Sequence, residues 1–447
     1  MNRKFLKIIE NWDRQKSREP LMIIGARQVG KTWCVKEFCR MNRKEYEYIN
    51  LEERPDIASV FEGNLNPDFL LRQISQILGR QITEETLLVL DEIQVNERAI
   101  TALKYFCESE KNYRIICAGS LLGVKLKRFS SSFPVGKVRI EQMVPMDFEE
   151  FLYACGEGLL AEGIRDAYRQ KTPLAEGIHE KALNYYRDYL FVGGMPAAVQ
   201  SYIDGGKLIP GVDPLFYKNL ILAYLADMTK YVTGPAEGVK ITEVYNSIPR
   251  QLARENPKFK YKEVRPRGNK RDFMGPLDWL NASGMIYSIY KLNAVLPPIK
   301  SYADGDSFKV YLSDVGLLAN MCGMQYKDLL PSSDNVFRGA VAENYAVQQL
   351  IAAGLEVYYF KPSESMEIEC IFTCDGQIVP AEVKSGRHKR SRSLVNYVNE
   401  YHPERVIRFS ERNFGVMNGI ESVPLYAVWC LGKPWQKTQS PAMPDER

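Results

Sequence analysis

The segment Gly25-Ala26-Arg27-Gln28-Val29-Gly30-Lys31-Thr32 stands between an apolar run, Leu21 to Ile24, and a helix-forming stretch, Thr32 to Arg40. A strand that turns through glycines directly into a helix is a narrow architectural requirement, met by parallel α/β sheets. The glycines let the backbone curl so that successive amide N–H groups face one point, at a helix N-terminus whose dipole favours an anion. Ala26, Arg27, Gln28 and Val29 would contribute those amides. Lys31 is then placed to neutralise the β and γ phosphates of a nucleotide, and Thr32 to offer its hydroxyl to magnesium.

A second segment completes the chemistry. Leu87-Leu88-Val89-Leu90-Asp91-Glu92 is an apolar strand ending in two carboxylates, with Asp91 60 residues beyond Lys31. Asp91 is expected to hold the magnesium, through water, and Glu92 to orient or deprotonate an attacking water. A third strand, Tyr113 to Ala118, leads to Gly119-Ser120, where Ser120 is either a polar sensor of the γ phosphate or an ordinary helix cap. ATP and Mg2+ are therefore the expected cofactors, and hydrolysis of ATP to ADP and phosphate the expected reaction.

A chain of 447 residues is longer than one hydrophobic core usually spans, so several domains are expected. Further strands are expected at Tyr46 to Leu51 and Gly136 to Met143, and helices at Phe5 to Trp12, Phe69 to Leu78 and Ala99 to Glu108. They close a parallel α/β domain over residues 1–150. Residues 151–235 read as helical, broken at Gly193-Gly194-Met195-Pro196. In 236–330, helices at Ile241 to Ala253 and Met274 to Ala282 precede strands at Met285 to Leu292 and Lys309 to Leu312, a pattern that resembles a winged helix. Residues 331–433 read as a helix (Ala340 to Ala353) and then strands near Glu356 to Phe360, Glu367 to Phe372, Ile378 to Lys384, Val406 to Ser410 and Leu425 to Trp429. The polar, proline-rich stretch 434–447 reads as disordered. Nine scattered cysteines, three histidines and the absence of an apolar leader or of a run of roughly 18 to 20 apolar residues point to a cytoplasmic protein without a membrane partner.

At these motifs the chain resembles the prokaryotic AAA-type ATPases that carry a C-terminal DUF4143 domain. The resemblance covers nearly the whole chain, through the segments 25–32, Leu90-Asp91-Glu92-Ile93-Gln94, Ala118-Gly119-Ser120, Phe148-Glu149-Glu150-Phe151-Leu152, Gly193–Pro196 and Tyr311-Leu312-Ser313-Asp314-Val315-Gly316-Leu317-Leu318. It implies a P-loop ATPase joined to a winged-helix region and a restriction-endonuclease-like tail. It also implies an assembly in which a neighbouring copy supplies an arginine, so a homo-oligomer or a protein partner is expected. Many members carry that arginine before the last strand of the ATPase; here the stretch is Phe133-Pro134-Val135-Gly136-Lys137-Val138, and Arg128 and Arg139 are the substitutes at hand.

Two further clusters bear on function. Arg250, Arg254, Lys258, Lys260, Lys262, Arg265, Arg267, Lys270 and Arg271 face only Glu255 and Glu263 within their segment, and Phe259 and Tyr261 interleave with them, as in a segment lying on a nucleic-acid backbone. Solvated lysines on a loop are the plainer account. In the tail, Glu343, Glu369, Glu382 and Lys384 follow an order that resembles the PD-(D/E)xK nucleases, with Lys389, Arg390 and Arg392 close behind. That resemblance implies carboxylates that hold magnesium and a lysine that polarises the scissile phosphate. Glu369 stands where an aspartate is usual, and its extra methylene disturbs a magnesium site that demands near-ideal geometry. The leading expectation is an ATPase whose cycle drives attached DNA-binding and nuclease-like domains. A slow nucleotide-gated switch that recruits a protein, and an ATP-regulated nuclease, are the alternatives.

Overall fold

The structure, a computed structural model, describes residues 2–16, 19–42, 45–120, 123–124, 134–213, 215–230, 234–254, 257–333, 335–387 and 392–434. They divide into two compact units, one of Asn2–Val144 with Ala282–Gly284, the other of Pro145–Asn281 with Met285–Pro434. The fold class is α/β.

In the first unit, strands β1 (Leu21–Ile24), β2 (Tyr46–Asn50), β3 (Leu87–Asp91), β4 (Arg114–Ala118) and β5 (Arg139–Gln142) form one sheet in the order β2-β3-β4-β1-β5. Every pairing is parallel. Parallel strands need crossovers, and helices Lys31–Asn42, Pro67–Leu78 and Glu97–Glu108 provide them. All five residues of β3 are buried, as expected of a strand covered on both faces. Its Leu88 and Leu90 join Met22, Leu70, Ile74 and Leu103 in one core cluster. Helix starts are marked by side chains: Asn66 accepts from the Asp68 and Phe69 amides, and Asn96 from the Ala99 amide. β4 lies between β1 and β3, and chain connections leave β1 toward β2 on one side while β5 lies on the other. A ligand crevice is expected outside the carboxyl ends at such a reversal.

The second unit begins with helices Phe148–Ala154, Gly158–Gln170, Glu176–Val192, Pro196–Asp204 and Phe216–Lys230. The break at 193–196 has a packing cause. Gly193 has φ +70°, and a Cβ there would meet the Asp314 carboxylate at 2.3 Å, while the Gly194 amide donates to Asp314 at 2.6 Å. Strands β6 (Ile286–Leu292), β7 (Ala303–Leu312), β8 (Tyr358–Ser363), β9 (Met366–Cys374), β10 (Gln377–Val383), β11 (Ile407–Ser410), β12 (Gly415–Met417) and β13 (Ile420–Pro424) make a mixed sheet in the order β12-β13-β11-β10-β9-β8-β6-β7. The hairpin β6–β7 is hydrogen-bonded into this sheet through a parallel pairing of β6 with β8. Residues 286–312 and 358–424 thus share one sheet.

One strand expectation is corrected. Leu425–Leu431 is a 3-10 helix, not a strand, and the partner of β11 is the preceding β13. All seven of its residues are buried. Burial on every side gives an apolar run that periodicity cannot assign to strand or helix.

Candidate functional site

At the carboxyl end of β1 the backbone enters left-handed territory three times, with φ +145° at Gly25, +63° at Gln28 and +99° at Gly30. A Cβ on Gly25 would lie 2.3 Å from the Met143 carbonyl oxygen, so only glycine fits there. Lys31 opens the helix and is 8% exposed. Its ammonium folds back over the loop, donating to the carbonyls of Gly25 at 2.9 Å and Ala26 at 2.8 Å. Burial pulls its pKa down to about 8, against the opposing pull of Glu92 and Asp91.

The loop and β3 meet through side chains. The Thr32 hydroxyl donates to Asp91 Oδ2 at 2.8 Å, the Tyr48 hydroxyl donates to the same oxygen, and the Glu92 amide donates to Oδ1 at 3.0 Å. Glu92 has φ +50°, and its carboxylate accepts from the Gln94 side-chain amide. Ser120 is buried just past β4, whose neighbour Gly119 donates to the Ile23 carbonyl of the adjoining β1 segment at 3.4 Å. Adjacent ligands of an octahedral magnesium stand about 3 Å apart. The hydrogen bond of 2.8 Å holds Thr32 Oγ1 and Asp91 Oδ2 at one point, and two oxygens so close fit as direct neighbours around one magnesium ion.

In the second unit Glu343, Glu369, Glu382 and Lys384 are brought together, with company that sequence reasoning missed. Lys384 Nζ lies 3.0 Å from Glu382 and 3.3 Å from Glu369. Lys309, 1% exposed on β7, lies 2.7 Å from both Glu343 and Glu367, and Lys361 lies 3.3 Å from Glu367. The Tyr311 hydroxyl also donates to Glu343. Burial drives the Glu369 pKa up to about 7, despite the lowering pull of Lys384. Among the described residues no group of three or more His, Cys, Asp and Glu side chains is arranged to hold a metal ion. Four carboxylates share three ammonium groups instead.

The basic segment is partly spoken for. Arg250 donates to the Glu263 carbonyl, Arg254 pairs with the Glu263 carboxylate, Arg265 with Glu243 at 2.7 Å, and Lys270 with Asp306, while Lys258 donates to Ser307 at 2.9 Å. Lys260, Lys262, Arg267 and Arg271 are exposed and form no ion pair among the described residues. The aromatic interleaving needs correction. Phe259 is buried, stacked on Phe308 at 5.6 Å, and Tyr261 packs edge-on against it, so Phe259 serves the core and not a nucleic-acid face.

The model of the AAA domain family matches residues 17–152, and that of DUF4143, a domain of unknown function, matches residues 338–428. The chain carries an AAA domain and a DUF4143 domain. Between them, residues 183–328 match another domain of unknown function, DUF8612. β6 and β7 fall in that match and β8 to β13 in or beside the DUF4143 domain, although they form one sheet. No curated protein matches the chain. Among solved structures it is similar to a Walker-type ATPase of Pyrococcus abyssi, at 15% identity over 71% of this chain and 93% of that one with a TM-score of 0.42. It is also similar to the ORC2 protein of Aeropyrum pernix, at 11% identity over 71% and 92% with a TM-score of 0.33. DnaA from Aquifex aeolicus, solved with AMPPCP, is 16% identical over 62% and 84%, with a TM-score of 0.27.

Three residues of the AAA domain site escaped sequence reasoning: Tyr48, Gln94 and Arg3. Arg3, 4% exposed, donates to the Val29 carbonyl of the loop. Nothing in spacing marks Arg3, which lies 22 residues ahead of Gly25. Tyr48 carries a faint signal, since strand alternation turns it to the same side as Asn50, the register partner of Asp91. Of the arginines considered for supply to a neighbour, Arg139 pairs with Glu141 at 2.7 Å, and Arg128 lies outside the described residues, as do Phe133, Lys389 and Arg390. Among the described residues no helix is long and apolar enough to cross a membrane.

Proposed function

We propose that the AAA domain binds ATP with magnesium and hydrolyses it to ADP and phosphate, and that the cycle alters how the rest of the chain engages DNA. The loop amides of residues 25–32 and the Lys31 ammonium hold the phosphates, Thr32 and Asp91 hold the magnesium, Glu92 prepares the water and Ser120 senses the γ phosphate. The carrying observation is the 2.8 Å hydrogen bond from Thr32 to Asp91, which puts both magnesium-side groups at one point beside a glutamate. Magnesium supplies charge neutralisation between the phosphates when bound.

The exposed cations Lys260, Lys262, Arg267 and Arg271 support contact with nucleic-acid phosphates in this reading, with little sequence preference. The lysines inserted among Glu343, Glu367, Glu369 and Glu382 favour a role in holding the fold over strand cleavage. All nine cysteines are free thiols, which agrees with a reducing, cytoplasmic setting. The proposed divisions are an ATPase domain to residue 150, a helical region to 235, a winged-helix-like region to 330 and a nuclease-like domain to 433. Assembly with further copies belongs to the same reading.

Steady-state ATP turnover, titrated with single- and double-stranded DNA at two salt concentrations, tests it. Turnover that DNA changes, abolished in Glu92→Gln with ATP binding retained, is expected. A purified chain without affinity for adenine nucleotides, or turnover indifferent to DNA, would overturn the binding or the coupling respectively.

A further inference from the structure

β2 brings to the site a side chain that neither the loop nor the acidic pair accounts for. Tyr48 stands two residues before Asn50, whose partner across the parallel ladder is Asp91. Its hydroxyl donates to Asp91 Oδ2, the oxygen that also accepts the Thr32 hydroxyl at 2.8 Å. The ring itself is held, because Lys36 of the helix that follows the loop lies with Nζ 4.2 Å from the ring centroid. Tyr48 therefore touches both partners of the site, the loop helix through its face and the β3 carboxylate through its edge.

A carboxylate that binds a cation must present a chosen lone pair, and a side chain of two rotatable bonds does not do so unaided. Asp91 has three donors on two oxygens: two hydroxyls on Oδ2 and the Glu92 amide on Oδ1. We propose that Tyr48 is a positioning residue of the nucleotide site, setting the Asp91 carboxylate for magnesium through its hydroxyl. This rests on the ATP–magnesium reading above. Partners that orient a metal-binding group commonly affect metal affinity by on the order of ten-fold or more, without touching the metal.

The test is binding of a fluorescent ATP analogue, titrated with magnesium and repeated in EDTA, for the wild type, Tyr48→Phe, Asp91→Asn and the double variant. Tyr48→Phe keeps the ring beneath Lys36 and the half-buried packing, so the fold is retained. The expected result is unchanged binding in EDTA and a magnesium midpoint raised about ten-fold. In the Asp91→Asn background the same change should have no further effect, since Tyr48 acts through that carboxylate. An unchanged midpoint overturns the proposal, as does weakened binding in EDTA, which would mark a packing role, or an undiminished effect in the Asp91→Asn background. A wild type that binds no ATP analogue overturns the ATP–magnesium reading itself, a result separate from any behaviour of the variant.

Discussion

The Arg3 guanidinium donates to the Val29 carbonyl at 2.6 Å and to the Val144 carbonyl at 2.7 Å, tying the glycine-rich loop to the segment that leaves β5. The residues just after it explain how so early an arginine is held in place. In helix Phe5–Asp13, Phe5, Leu6, Ile9 and Trp12 are buried, which anchors the chain end beside the loop. Arg3→Ala removes both bonds from a buried site, where a hydrogen bond to a charged group contributes about 2 kcal/mol net. The variant should melt lower and bind nucleotide several-fold more weakly, as read by thermal denaturation and a fluorescent nucleotide. Arg3→Lys offers one compact donor for two carbonyls and should recover only part of the affinity. Full affinity in Arg3→Ala would show that the loop holds its shape unaided.

The Lys31 ammonium makes nucleotide binding dependent on pH. Burial lowers its pKa from 10.5 to about 8, so the nucleotide-free protein loses this charge as pH rises through 8, while a bound triphosphate favours the protonated form. Affinity should fall from pH 7 to pH 9, with proton uptake on binding detectable as a buffer-dependent heat in calorimetry. Folding runs the other way. Between about 8 and 10.5 the unfolded chain holds more protons at this position than the folded one, so its contribution to stability rises with pH across that window. Lys31→Met should remove both dependences along with the affinity.

DNA binding, if carried by the exposed cations, has a quantitative signature. For every phosphate that the protein no longer neutralises, the slope of log affinity against log salt should shrink by about 0.9 on duplex DNA. Replacing Lys260, Lys262, Arg267 and Arg271 together with alanine should therefore flatten the salt dependence markedly. Replacing Arg265, which pairs with Glu243 at 2.7 Å, should do less. Phe259→Ala is predicted to act differently, lowering stability by about 3 to 5 kcal/mol through loss of a buried ring. Filter binding at several salt concentrations, with denaturant melts alongside, separates the two effects.

How far the sequence was legible followed the range of the interactions involved. The loop, the strand before it and Asp91-Glu92 form through local backbone chemistry and apolar runs, and each was readable from the order of residues alone. Tyr48 and Arg3 reach the site only after β2 is laid beside β3 and the first helix docks, events that leave no mark in local spacing for Arg3 and only the alternation along β2 for Tyr48. Phe259 was misread for a related reason: an aromatic residue among lysines suggests a nucleic-acid face, yet its environment is set by Phe308, 49 positions later. In the C-terminal half, the order Glu343, Glu369, Glu382 and Lys384 can be read along a helix and two strands, and Lys384 lies 3.0 Å from Glu382 and 3.3 Å from Glu369. Lys309, whose ammonium changes the meaning of that cluster, lies on a hairpin strand that pattern alone allots to a different region.

Lys309 makes the strongest prediction about the C-terminal half. Its ammonium is 2.7 Å from Glu343 and 2.7 Å from Glu367, in surroundings that leave it 1% exposed. Lys309→Met leaves Glu343 without its counter-charge and Glu367 with Lys361 alone, and removing one partner of a buried pair typically costs about 3 to 5 kcal/mol. The remaining carboxylates would then welcome another cation, so the destabilised variant should be rescued in part by millimolar magnesium or manganese, while the wild type should be indifferent to either. Glu369 gives an independent check. Its pKa is raised from 4.5 to about 7 in the folded protein, so between those values the folded state holds more protons than the unfolded one and stability from this group falls as pH rises. Glu369→Gln, an uncharged amide of the same shape, should gain stability relative to the wild type at pH 8 and lose that advantage at pH 5. Urea denaturation at the two pH values measures the difference. Metal-dependent stabilisation of the wild type, with DNA nicking abolished by Lys384→Ala, would instead mean that the lysines yield their places to magnesium and that the domain cleaves.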